Sequence, residues 1–441
     1  GQSITGGASL LTIGDAVGGN TIAGGSGGVN VTAAPGDLIT TAAGAADTVS
    51  LLSYDTVTGA GTDQVTANYS HDVISESGNA SVSLLGANEQ VTGGAGLLQV
   101  TDDVTGNTIA GGSGGVNANL SGSYDVVSTS VGATDTLTLT TQDTVTAAGN
   151  DQISISGNYN VIGASGTDVI SSTSANSQYD LAGRDSLTTS GGGAVTVGGS
   201  AVDSVFSTGA GGINLTTEQG GSVAVTQTIS AGTNAAATVS GAAASIMTTG
   251  GNYAGIYVTA TGGDSVTAGA GPVSVTSSAT SAGPADTINA GSGSLSVTTA
   301  NAQIFGGSGS LVVNAQGETA GTAGVQVGAG SGNVTLNGGA GNELFTGGSG
   351  QAQIWLGGGQ DTVSFGSGLT TVHGGVADVF LAPTNGGSAV ILNWNAQDTL
   401  AGAGSTHATP AITAQSVVNG STYLSFVGGG QIELAGVTHF S

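Results

Sequence analysis

The side chains of this sequence that could do chemistry are almost all carboxylates, and they recur at regular intervals. Twenty-seven Asp and Glu stand against a single base, Arg184, giving a formal net charge of −26. A short unit repeats along the chain: an acid, one small polar residue, then an aliphatic one. It reads Asp47-Thr-Val49, Asp55-Thr-Val57, Asp63-Gln-Val65, Asp143-Thr-Val145, Asp151-Gln-Ile153, Asp264-Ser-Val266, Asp286-Thr-Ile288 and Asp361-Thr-Val363. Gly closely precedes many of the acids, as in TGAGTD ending at Asp63 and GGAGNE ending at Glu343. Gly supplies the positive-φ conformations of a tight turn, and the aliphatic two residues after the acid points inward from a short strand. Each unit therefore predicts one turn and one strand.

Spacing sets how such units must stack. The acids Asp47, Asp55 and Asp63 are 8 residues apart, and Asp135, Asp151, Asp168, Asp185 and Asp203 follow at steps of 16, 17, 17 and 18. Two units then make one coil of about 16–18 residues, with a strand on each side and a turn at each edge. GNTIAGGSGGVN at 19–30 recurs identically at 106–117, an offset of 87, and SYDTVTGAGTDQV at 53–65 matches TQDTVTAAGNDQI at 141–153. The block copied is about five coils long. The fold class expected is all-β: a parallel β-solenoid of the β-roll or β-helix type, with a C-terminal β cap.

Composition supports strands over disorder. Gly is abundant (84 residues) and aromatics are only 4%, too few for large conventional cores, but the chain is rich in Val, Ile and Thr and its mean hydropathy is +0.23. Disordered chains are poor in such residues, which suit pleated strands. With one basic residue there can be no basic patch, which excludes a nucleic-acid binder. The absence of Cys excludes disulfides and thiolate chemistry. Gly, Ser and Asn interrupt every apolar run before membrane-spanning length. The sequence opens at Gly1 without Met, with no signal peptide to be read.

Parallel coils lie about 4.8 Å apart, so the series from Asp135 to Asp203 would stack carboxylates at that distance. Two unit charges there repel by roughly 3–4 kcal/mol at an effective dielectric of ~20. Without bases, protons or metal ions must neutralise such a column, unless the acids simply sit solvated on loops. Ca²⁺ suits it, since it takes many oxygen ligands, backbone carbonyls included. The candidate metal residues are Asp47, Asp55, Asp63, Asp72, Asp125, Asp135, Asp143, Asp151, Asp168, Asp185, Asp203, Asp264, Asp286, Glu343, Asp361 and Asp378.

GGAGNELFT at 338–346, GGSGQAQIW at 347–355 and GGGQDTVSF at 357–365 resemble the RTX family, whose nonapeptides GGxGxDxUx bind Ca²⁺ in a parallel β-roll. Their acid positions fall at Glu343, Ala352 and Asp361, so calcium is expected to line one edge there. The segments 378–400 and 421–441 look like the region following RTX repeats in proteins exported by type I secretion. The resemblance implies an export signal in the C-terminal region, a secreted or cell-surface location, and folding coupled to external calcium. The acid is often replaced by an apolar residue, as at Val29, Val116, Leu295, Leu311 and Val334. Four segments are expected: 1–204, an acid-rich solenoid; 205–327, a degenerate one; 328–380, the RTX-like roll; and 381–441, the cap and export signal.

Nothing in the sequence points to catalysis. Arg184 is expected to screen Asp180 and Asp185. His71, His373, His407 and His439 are scattered without zinc-ligand spacing, and no Ser lies in a nucleophile elbow. The expectation is a structural protein of the bacterial cell exterior, not an enzyme, self-associating head to tail into a filament, surface layer or biofilm matrix. A cell-surface polysaccharide is a further candidate partner. The alternatives are an adhesin, an ice- or ligand-binding solenoid using Thr runs such as 134–146, or an accessory module of a carbohydrate enzyme.

Overall fold

The structure is a computed structural model. It describes residues 1–190 apart from 175 and 184, the strands but not most turns of 191–262, and 263–440 without 281–282, 321–322, 384–385, 403–405 and 407–408. The side chains of 191–256 and of 259 lie outside the described residues. All regular structure among the described residues is β. The chain forms two compact units, Gly1–Gly211 and Gly212–Ser441.

In the first unit, strands alternate between two parallel sheets. One carries Ser3–Thr5, Thr21–Ala23, Leu38–Thr40, Thr56–Gly59, Val73–Glu76 and so on to Val195–Gly199; the other runs from Leu11–Gly14 to Val202–Ser207. Successive strands of one sheet pair in register, Thr21 with Leu38, Leu38 with Thr56 and Thr56 with Val73, so a coil takes 17 or 18 residues here. This is the expected parallel β-solenoid.

The register makes each inward position a column. Ile22, Ile39, Val57, Ile74, Val91 and Ile109 stack in the first sheet, and Val31, Val49, Val65, Val82, Val100 and Ala118 in the second. All are at most 2% exposed. Each branched aliphatic gains about 1.5–3 kcal/mol by leaving water, so many thin coils together make the core that aromatics cannot. Tyr179 takes the place of Ile162 one coil on, and its hydroxyl donates to Ser172 Oγ at 2.7 Å. Tyr179→Phe is expected to cost about 1 kcal/mol in urea unfolding, the usual worth of one such bond.

The second unit repeats the plan with less even coils. Val258, Val275, Val297, Val313, Leu336 and Ile354 form its inward column. Paired positions lie 22 residues apart at Ser265 and Thr287 but 18 apart at Val334 and Ala352. The pairing of Ala323–Gly328 with Asn342–Thr346 shifts register once, between Ala323 and Gln326. The solenoid continues past 380, through Ser388–Leu392 and Thr399–Ala401, so the expected boundary at 380/381 is not a structural break. The cap starts at Ile412: Ile412–Val418 and Ser421–Phe426 form an antiparallel hairpin, and Gln431–Leu434 joins it to Ser388–Leu392. Phe365, Phe380, Trp394 and Phe440 contact one another in series, with ring centroids 5.7–6.3 Å apart.

Candidate functional site: buried carboxyl ladders

The acids that precede each strand point into the solenoid. Along one edge of the first unit the residue just before the inward-pointing acid, Asn or Ser has positive φ. This position is held by Gly19, Gly36 and Gly106, but also by Tyr54 (61°), His71 (75°), Asn88, Tyr124 (63°), Gln142, Tyr159 and Asn176. The left-handed residue turns the chain so that the next side chain enters the interior. Glycine was the sequence signature of this corner, yet most of these coils turn it with a bulkier residue, at about 1–2 kcal/mol each.

Once inside, each side chain accepts a hydrogen bond from the backbone N–H of its counterpart one coil earlier. Asp37 N–H donates to Asp55 Oδ1 (2.8 Å), Asp55 N–H to Asp72 Oδ1 (2.8 Å), Asp72 N–H to Glu89 Oε2 (2.5 Å), and Glu89 N–H to Asn107 Oδ1 (2.8 Å). The ladder goes on through Asp125, Asp143, Asn160 and Ser177 at 2.8–3.1 Å. It satisfies a buried N–H that no strand can pair, which would otherwise cost about 1–3 kcal/mol. A second ladder on the opposite edge links Asp135, Asp151, Asp168 and Asp185 at 2.7–3.1 Å. Asp47 there accepts from Val29 N–H, and Asp63 from the Thr41 hydroxyl at 2.7 Å. In the second unit the backbone N–H of Asp264 donates to Asp286 Oδ1, that of Glu343 to Asp361 Oδ1 and that of Asp378 to Asp398 Oδ1.

Of the sixteen candidate metal residues, all but Asp203 have described side chains, and these are at most 2% exposed. None of these fifteen is a solvated loop acid. The side chain of Asp203, and all of Arg184 and His407, lie outside the described residues. His71 is exposed and stacks on Tyr54, and His373 stacks on Trp355. The Thr run at 134–146 divides between the two sheets: Thr136 and Thr138 face outward on one, Thr144 and Thr146 on the other.

Burial and neighbouring carboxylates push several of the ladder acids up. Desolvation raises Asp72 and Asp125 to about 7 and Glu89 to about 8, with the adjoining acids adding to it. Asp143 and Asp168 rise to about 6, and Glu343 to about 7, again chiefly from burial. Asp72 Oδ2, Glu89 Oε1, Asp125 Oδ2, Asp168 Oδ2 and Glu343 Oε2 are buried without a hydrogen-bond partner.

Several ladder residues escaped the sequence reading. Asp37-Leu-Ile39, Glu89-Gln-Val91 and Asp398-Thr-Leu400 carry the acid–x–aliphatic unit and could have been found by it. The uncharged members Asn20, Asn107, Asn160 and Ser177 fit the same spacing but not a search for acids. Glu76 carries no such signal: it ends the strand Val73–Glu76, is 2% exposed, and burial beside Asp63 and Asp47 raises it to about 8.

Calcium, implied by the repeat, takes ~6–8 oxygen ligands. Among the described residues no three His, Cys, Asp or Glu come together as a group that could hold a metal ion. The ladders present one carboxyl per coil and commit one of its oxygens to a backbone N–H, and Asn107, Asn160 and Ser177 do the same work uncharged. In this arrangement the ladder carboxyls do not fit calcium. No family model, curated protein or solved structure matches the chain.

Proposed function

We propose that this is a structural protein of the cell exterior, a self-associating β-solenoid scaffold. The observation that carries this reading is the sameness of its coils. Coil after coil adds a corner and an aliphatic rung, with long runs of parallel pairing in register among the described strands of each unit. Such a molecule gains extent and surface with every coil, which suits mechanical and scaffolding work. The resemblance of 338–365 to exported calcium-type repeats and the charge of −26 favour an exterior location. Immunogold labelling of intact cells tests the location; label confined to the cytoplasm would refute it.

The Ile412–Val418 strand supports self-association. It pairs only with Ser421–Phe426 among the described strands, and all seven of its residues are exposed. Its sequence ITAQSVV is rich in β-branched residues and has no charge and no proline, so it lacks the devices that keep edge strands apart. The partner it fits is a second copy, which can add to the same edge antiparallel and bring no counter-charge. Because whole copies repel one another, association should strengthen with salt. Light scattering on Val417→Lys should find monomers under conditions where the parent associates; undiminished association would remove this edge from the reading.

A further inference from the structure

The two oxygens of a ladder side chain have different surroundings. In Asp55 both are occupied by donors: Oδ1 accepts from Asp37 N–H, and Oδ2 from Leu52 N–H at 2.9 Å. In Asn160 the oxygen accepts from Asp143 N–H, while the amide nitrogen donates to the carbonyls of Thr140 (2.8 Å) and Gly157 (3.1 Å). Asn160 thus identifies a second kind of corner, where the other ladder atom meets backbone oxygens and must be a donor.

Asp125 and Glu89 stand in that second kind of corner. Gly122 precedes Asp125 by three residues, as Gly157 precedes Asn160. A Cβ at Gly122 would lie 1.4 Å from Val104 O and 3.1 Å from Asp125 Oδ2, which places the two oxygens on the same side of the corner, no more than 4.5 Å apart. At Gly86 the same point is 1.4 Å from Tyr69 O and 2.7 Å from Glu89 Oε1. Neither carboxyl oxygen has a donor. An ionised carboxylate would set a negative oxygen against a carbonyl oxygen out of water, whereas a protonated carboxyl donates there as Asn160 does. The charged groups facing them are all acids: Asp102 and Asp143 around Asp125, and Asp72, Asp102 and Asp55 around Glu89. His71, next to Asp72, is exposed on Tyr54.

We propose that ladder carboxyls whose second oxygen meets a backbone carbonyl, Asp125 and Glu89 foremost, are held as neutral acids, so that protons are the ligand that closes these coils. The chain is then a scaffold that sets in acid and loosens as the medium turns alkaline. This goes beyond the structural role, which would stand without it.

Urea unfolding of the full chain at about pH 6 and about pH 8 in EGTA, followed by circular dichroism, tests it. Asp125→Asn and Glu89→Gln should each shift the midpoint at the higher pH upward and shrink the drop between the two. Asp55→Asn should shift it downward, because its new amide would face the Leu52 N–H. Three results overturn the proposal: the first two variants falling at the higher pH, all three moving alike, or calcium restoring the parent but not the Asn and Gln variants.

Discussion

The unfolding free energy of the parent protein in EGTA should fall by several kcal/mol between about pH 5 and pH 8, with net proton uptake on folding throughout. The sign follows from the direction of the shifts. Asp72, Asp125, Glu76 and Glu89 stand at about 7 or 8 in the folded chain, above the ordinary values of 3.8 and 4.5, with burial the leading cause. A carboxyl raised in this way binds its proton more tightly when folded. Its contribution is complete below the unfolded value and is lost as pH climbs through the folded one. Each such group gives a slope of up to about 1.4 kcal/mol per pH unit. Whole domains are stable by only about 5–15 kcal/mol, so a few groups acting together suffice to bring the midpoint of unfolding into the neutral range. Most proteins lose stability in acid because their carboxylates are paired with donors or bases; here the trend is reversed. Chemical denaturation at stepped pH, with proton uptake read in unbuffered solution, makes the check. Stability that rises with pH would contradict the ladder chemistry.

Gly122→Ala should abolish the native β signal of the first unit at ordinary temperature, while Gly14→Ala leaves it intact. A Cβ at Gly122 would sit 1.4 Å from Val104 O, and one at Gly14 would meet nothing within 4 Å. The clash is with backbone in the neighbouring coil, so no side-chain rotation can relieve it. Relief requires moving two coils apart, which breaks the strand pairing and the Asn107 N–H to Asp125 Oδ1 bond together. Overpacking in an ordinary core costs about 1–3 kcal/mol; this site should exceed that. Native-like circular dichroism and an unchanged melting temperature in Gly122→Ala would show that the coils are not packed as closely as described.

Much of this architecture could be read from the spacing of acids and aliphatics alone. Asp47-Thr-Val49 and its relatives placed the turns, the inward residues and the coil length, because a two-residue strand period and a fixed coil leave few other solutions. Asp135, Asp151, Asp168 and Asp185 do form one column. What spacing could not convey is the use made of each oxygen. Asp55 and Asp125 have the same local sequence signature, yet the second oxygen of one meets the Leu52 N–H while that of the other lies on the side of the Val104 carbonyl without a donor. Nor could a search for acids find Asn107 and Asn160, although they reveal that the position asks for an acceptor more than for a charge. Glu76 was hidden for a different reason: it follows the aliphatic instead of preceding it, and strand alternation after Ile74 turns it inward between Gly59 and Gly93 of the neighbouring coils.

The copied segment at 19–30 and 106–117 carries a ladder residue, Asn20 or Asn107, each with its companion acid Asp15 or Asp102. Since the offset of 87 corresponds to a whole number of windings, a gene segment of that length can be inserted or excised without shifting any face, corner or rung downstream. Tandem recombination can therefore lengthen or shorten the molecule at little cost to folding, which makes its reach a readily varied trait between otherwise matching lineages.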